Sequence, residues 1–238
     1  AGLGRGREAI TEALTEDYLL VVDSDQLVPK NVDVLVEQLD ADSNLGGVAG
    51  LFLEHGRLTG MCHDIYEDEK LLIRDTKHEK EVRTVAGAPL IEFDFIPNAA
   101  VFRRQCLKDY TWDPTYRIGK EHLDFYIGHD RQTDWTFAVS PRVLFPHDPG
   151  GSADFVETRH DPSRLLKSKS YFLEKWGYRQ ILRRRYWLDH AHGFPTMMRL
   201  ANVTPRPLQP AILDLNEYLW EIQGKLYDSY GRLTQYLH

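Results

Sequence analysis

The 238 residues suit one large domain, or one domain with an appendage. Hydrophobic residues make up 42% and charged residues 27%, the balance of an ordinary soluble globular chain, and no apolar run approaches bilayer-spanning length. A net charge of -7 lacks the basic footprint of a general nucleic-acid binder, and two cysteines, Cys62 and Cys106, are too few for a disulfide framework or a cysteine zinc site. They read as buried, idle thiols.

Gly2, Gly4 and Gly6 read as a flexible lead-in to a helix over 7–14, with Ala9, Ile10, Ala13 and Leu14 on one face. "DYLLVV" is an unbroken apolar run of strand length, the pattern of a central buried strand. Pro29 stands where it could open a helix, and Val32, Leu35, Val36 and Leu39 then keep helical spacing. "GGVAGLFLE" predicts the next strand. Gly56 marks a turn, and the stretch to residue 75 reads as a hairpin excursion. Residues 75–83 are nearly all polar and predict a surface loop. "APLIEFDFIPNAAVFRR" predicts strand segments broken at Pro97-Asn98, followed by a short helix near 103–109. "KEHLDFYIGHD" predicts a helix with Leu123, Tyr126 and Ile127 on its apolar side, and "WTFAVSPRVLF" a strand that runs into "PHDPGG". Residues 154–182 predict helix with a break near Asp161-Pro162, and 186–205 predict loop. Residues 211–236 predict a long amphipathic helix carrying Ile212, Leu215, Leu219, Ile222 and Leu226. Alternating α and β in front argues for an α/β sheet with helices on both faces, residues 1–153, followed by a helical region, 154–238, packed on that core.

Five constellations carry chemical interest. Asp23-Ser24-Asp25 follows the first strand, where open α/β sheets bind ligands, and hard oxygen ligands suit Mg²⁺ or Mn²⁺. Taken alone, the triplet reads as a turn with Ser24 or Asp25 capping the next helix. Glu121 and Asp124 share a helix face, with His122 about 100° away, and offer a general base or simply acids that complement the helix dipole. His147 and Asp148 lie past a strand end between Pro146 and Pro149, a place for a fixed ligand or a phosphate contact. Gly4 and Gly6 before Arg7 form a weak phosphate-cradle pattern without the P-loop lysine. Arg183-Arg184-Arg185-Tyr186-Trp187 reads as a solvated helix end, with contact to a membrane surface or an anionic acceptor left open. No serine-hydrolase elbow and no zinc-protease motif occurs.

The order of the pieces resembles family 2 glycosyltransferases of the GT-A fold. The resemblance rests on "GRGREAITEAL", "YLLVVDSD", "GKEHLDFY", "VLFPHD" and "KSYFLEKWGY", in that order, and covers residues 2–182. It implies a GT-A-type, Rossmann-like mixed sheet and transfer of a hexosyl or N-acetylhexosaminyl group from a nucleotide sugar, UDP-linked by expectation, to a glycan or lipid-linked acceptor hydroxyl. By this resemblance Asp23 and Asp25 would hold Mn²⁺ or Mg²⁺ on the donor diphosphate, and His147 would be a further ligand. Arg7, Asp23, Pro97 and Asn98 would line the donor site. Asp124 or Glu121 would be the base, with His122, standing where relatives carry an acid, able to substitute. The family places a nucleotide-binding strand and helix before the Gly-Arg stretch, so a preceding unit is expected. The implied location is the cytoplasm, up to the cytoplasmic membrane surface, without nucleic acid as partner. Two readings stand beside it: a non-catalytic nucleotide-sugar-binding module, and a sugar-phosphate nucleotidyltransferase.

Overall fold

The computed structural model describes residues 2–54, 56–76, 79–148, 161–183 and 186–188, with scattered positions from 200 to 226. The amphipathic stretch 211–236, most of 186–205 and residues 154–160 therefore lie outside the described residues, apart from those scattered positions.

The chain alternates helix and strand in front. Helix α1 (Leu3–Ala13) leads into β1 (Tyr18–Val21), and α2 (Asp33–Ala41) into β2 (Leu45–Glu54). Short strands follow: β3 (Arg57–Thr59), β4 (Asp64–Asp68), β5 (Leu71–Asp75), β6 (Arg83–Val85) and β7 (Ala88–Glu92). Then come β8 (Ala100–Arg103), α3 (Arg104–Asp109), α4 (Glu121–Gln132) and β9 (Thr136–His147). Helix α5 (Pro162–Trp176) and β10 (Gln180–Arg183) complete the described elements. The main sheet is mixed and seven-stranded, ordered β1-β8-β2-β9-β7-β6, with β3 paired to β2. The chain is thus α/β, with helices on both faces of a mixed sheet.

Period-two patterning builds the two faces. Ala49, Leu51, Phe102, Phe137 and Val139 meet Leu107 of α3 and Phe125 and Tyr126 of α4 on one side. Val48, Phe52, Val101 and Ala138 meet Leu35 and Leu39 of α2 on the other. The parallel β2–β9 pairing sits at the centre and slips between Ala49 and Leu51, where β9 bulges.

β1 differs from the expected central strand. It lies at the sheet edge, pairs only with β8 among the described residues, and all four of its residues are half-buried. An unbroken apolar run cannot tell an edge strand from a central one when both faces are packed. The glycine lead-in also differs: Gly4 and Gly6 are helical, and Gly4 admits a close approach, since a Cβ there would collide with the Asp113 carbonyl and come 3.0 Å from that of Tyr116. Pro29 does not open α2, which starts at Asp33.

The region after residue 161 is not all helix. Asp161 caps α5 by accepting from Ser163 N at 2.9 Å, with Pro162 in the first turn, so the expected break is the helix start. Gly177, at φ +74°, ends it. Gly177 N donates to Glu174 O and Tyr178 N to Leu173 O, the two bonds of a Schellman motif. The freed chain becomes β10 and adds in parallel to β5, forming a second sheet ordered β10-β5-β4. Phe172, Tyr178 and Ile181 pack there on Leu72, Tyr116, Leu123 and Ile127. Arg183 therefore belongs to a strand and Tyr186 is buried, unlike the solvated helix end expected there, while Arg184 and Arg185 lie outside the described residues. The polar stretch 75–83 is likewise not all surface loop: Asp75 ends β5 and Arg83 begins β6. Both cysteines are fully buried free thiols. Among the described residues no helix is long and apolar enough to cross a membrane.

Candidate active site

β1, β2 and β9 run parallel to one another, β1 and β2 through the antiparallel β8 between them. Their carboxyl ends deliver Asp23-Ser24-Asp25, Glu54 and His147 to one rim of the sheet. β8 enters from that same rim, which brings Asn98 beside the end of β1, with Pro97 buried next to it. The chain after β1 is pinned to β9: Asp148 N donates to Asp25 O at 3.0 Å, and Leu27 N to Pro146 O at 2.9 Å. Gln26 forms a β-bridge with His147. Its side-chain oxygen accepts from Asp23 N at 3.1 Å. The capping alternative for Asp23–Asp25 fails, because Val32 stands at the start of α2 with no side-chain cap.

Asp25 and His147 face each other, with Oδ2 and Nε2 3.5 Å apart. Oδ1 of Asp25 is buried without a hydrogen-bond partner among the described residues. A buried carboxylate oxygen left in that condition is costly, and it marks the position a positive group would fill. On its far edge, the His147 ring meets Glu54 Oε2 at 3.1 Å through Nδ1. The Glu54 contact is the main cause that raises the His147 pKa, against burial, and Asp25 adds to it.

Asp23 turns the other way. Both its oxygens accept from Asn98 Nδ2 at 3.3 Å, and Oδ1 lies 3.7 Å from Arg7. Arg7 reaches this acid from α1. Its Nη1 is 2.8 Å from His122 Nε2 and 3.9 Å from Glu121 Oε1, and its guanidinium lies 5.5 Å from the centre of the Trp112 ring. Burial lowers the Arg7 pKa while Glu121 and Asp23 raise it; the guanidinium stays charged. Arg7 therefore links Asp23 at the strand end to Glu121 and His122 at the start of α4. The phosphate cradle expected before it is not formed: Leu3 N and Gly4 N donate to Arg117 O and Tyr116 O. Glu121 and His122 are aimed by two successive left-handed residues, Gly119 at φ +75° and Lys120 at φ +71°.

Asp124 takes no part in this cluster. It is fully buried one turn further along α4. Tyr110 and Tyr116 hydroxyls donate to it at 3.1 Å, Trp176 Nε1 at 2.8 Å, and Lys175 Nζ at 2.8 and 3.0 Å. Such a carboxylate has no room for a substrate proton; it fixes α4 to α5. Lys175 also pairs with Asp113 at 2.7 Å. Of the residues expected as base, Asp124 or Glu121 with His122 able to substitute, Asp124 is enclosed by these donors, Glu121 is buried beside Arg7, and His122 is half-buried next to it.

The three expected metal ligands do not converge, since Asp23 faces Arg7 and Asn98 while Asp25 faces His147. Among the described residues no group of three or more acids, histidines or cysteines has metal-binding spacing. Asp25 and His147 bring one carboxylate oxygen and one imidazole nitrogen together, a pair of donors rather than a set of three. No protein-family model matches the chain, and no curated protein does. The sequence reading missed Glu54, which lies directly across from His147 in the β2–β9 register. Its signal was faint: an acid ending an apolar strand, as Asp23 does after β1.

Proposed function

We propose that the chain is a metal-dependent, inverting glycosyltransferase of the GT-A type, with a UDP-linked sugar as donor and a glycan or lipid-linked hydroxyl as acceptor. One observation carries the proposal: the buried Asp25 Oδ1, without a hydrogen-bond partner among the described residues, beside His147 and two residues from Asp23, which Arg7 links to the Glu121–His122 pair. Asp25 and His147 would hold the ion, and Asp23, Asn98 and Arg7 would contact the donor, with Pro97 shaping the turn. The bound ion would supply charge stabilisation for the departing diphosphate.

His122 is the base in this reading. Its side chain is 25% exposed, against 6% for Glu121. Glu121 Oε1 lies 3.6 Å from His122 Nε2 and would stabilise the imidazolium that forms. The acceptor oxygen gives its proton to His122 and bonds to the anomeric carbon, while the bond from that carbon to phosphate breaks and its electrons leave with the diphosphate. Arg7, now on His122, has a stronger partner in a diphosphate. Its turn toward the donor would leave His122 open to the acceptor. Work at the cytoplasmic face of a membrane suits a lipid-linked acceptor, and a peripheral contact is part of the proposal.

The test is a thermal-shift titration of the full chain with UDP-sugars, with and without Mn²⁺. The melting temperature should rise with ligand concentration, and Asp25→Ala should remove the Mn²⁺-dependent part. Unchanged Mn²⁺-dependent binding in that variant sinks the metal assignment. Product analysis completes the test: nucleoside diphosphate release fits transfer of sugar, and pyrophosphate release overturns it. His122→Ala should lower turnover about 10²–10⁴-fold, the usual worth of a general base, with little change in stability.

A further inference from the structure

We infer that Glu54 is the positioning residue of the metal site: it holds His147 so that Nε2, and not Nδ1, faces the ion beside Asp25. This rests on the proposed metal-dependent reading. The two ring nitrogens of an imidazole point to opposite sides, so one ion cannot contact both Asp25 and Glu54 through His147. Asp25 Oδ2 stands 3.5 Å from Nε2, and Glu54 Oε2 stands 3.1 Å from Nδ1. Glu54 is thus outside the ion's reach on this ring and accepts a hydrogen bond from Nδ1–H. That bond fixes the tautomer and leaves the Nε2 lone pair for the ion, the arrangement by which a carboxylate commonly orients a ligating histidine.

The fold builds this relation firmly. Glu54 and His147 are Cα partners at the ends of the two central parallel strands. Their side chains are only 15% and 17% exposed. Phe52, two residues before Glu54 on the same strand face, places its ring 5.1 Å from the imidazole and limits its rotation. The unsatisfied Asp25 Oδ1 lies on the Nε2 side. Carboxylate, imidazole and carboxylate therefore stand in a row, with Asp25 Oδ1 the one buried oxygen of the row left without a hydrogen-bond partner among the described residues.

The experiment measures Mn²⁺ binding to the full chain, with UDP present, by loss of the free-ion paramagnetic signal, for wild type, Glu54→Gln and Glu54→Ala. Long-range ¹H–¹⁵N NMR with Mg²⁺ and UDP reads the His147 tautomer in the wild type. Glu54→Ala should weaken Mn²⁺ about 10- to 100-fold. Glu54→Gln keeps a hydrogen-bond acceptor and should recover most of that loss. The wild-type ring should carry its proton on Nδ1. Affinity of Glu54→Ala within about threefold of wild type, below the range that orienting carboxylates command, overturns the inference. So does a proton on Nε2, a readout that stands even if the alanine variant fails to fold. Wild-type protein that binds no Mn²⁺ overturns the metal reading itself and the role of Glu54 with it, a failure distinct from equal binding by all three forms.

Discussion

Asp124 and His129 lie one helical turn apart or little more, and neither is catalytic in the proposed reading. The carboxylate collects two phenols, an indole and an ammonium. Asp124→Ala would strand those donors and should cost about 3–5 kcal/mol in denaturant unfolding, the range for breaking a buried charged pair. A smaller loss, together with lost turnover, would return Asp124 to the chemistry. His129 is buried against Phe125, Tyr110 and Phe137, with ring nitrogens 3.0 Å from Thr133 Oγ1 and 3.6 Å from Cys106 Sγ. Burial lowers its pKa to about 4. The unfolded chain takes up that proton below about pH 6.5 and the folded chain does not, so the stability held above pH 6.5 is withdrawn as the pH falls toward 4. Urea midpoints should fall across that window, and His129→Gln should flatten the fall. At this scale the sequence disclosed residue types and little of their roles. Motif order singled out Glu121, His122, Asp23, Asp25, Arg7, Asn98 and His147, but it did not disclose that Arg7 would pair with Asp23 and His122, or Asp25 with His147. The burial of Asp124 depends on Lys175 and Trp176, some fifty residues away, and no local pattern near Asp124 records them.

Elements were legible where periodicity and punctuation agreed. α4, β2, β8 and α3 fall where their apolar spacing put them. β10 was missed because a helical pattern was carried through Gly177, although Gly followed by an aromatic is a readable stop. The glycines of α1 and α4 mislead in another way. Each looks like a weak point in a helix, yet Gly4 and Gly128 admit a close neighbour, whereas Gly6 faces open space. A Cβ on Gly128 would collide with the ring of Tyr110, whose hydroxyl serves Asp124. Gly to Ala in a helix ordinarily gains about 1 kcal/mol, whereas forcing a methyl into a packed site costs about 1–3 kcal/mol. The second effect should win: Gly128→Ala should melt below wild type, and a rise in melting temperature would refute the packing argument.

The whole molecule is a sheet whose pairing strength varies from centre to edge. β2 and β9 are covered on both faces, and β1 pairs with β8 alone among the described residues. Native-state hydrogen exchange should therefore find the slowest amides in β2 and β9, with those of β1 that point away from β8 exchanging first. Uniform protection across β1 would show a further partner for its edge. The class of fold was readable from alternation, whereas strand order was not, because order depends on pairings that no short window contains. The partners Glu54 and His147 are 93 residues apart in sequence. During synthesis, β2 leaves the ribosome long before β9 exists to pair with it. The apolar "LGGVAGLFLE" must wait on the nascent chain without its central partner, so the rim that assembles the proposed site cannot close before His147 has been made. Parallel pairing over such a span makes folding slow, and chaperone demand should be greatest in that interval.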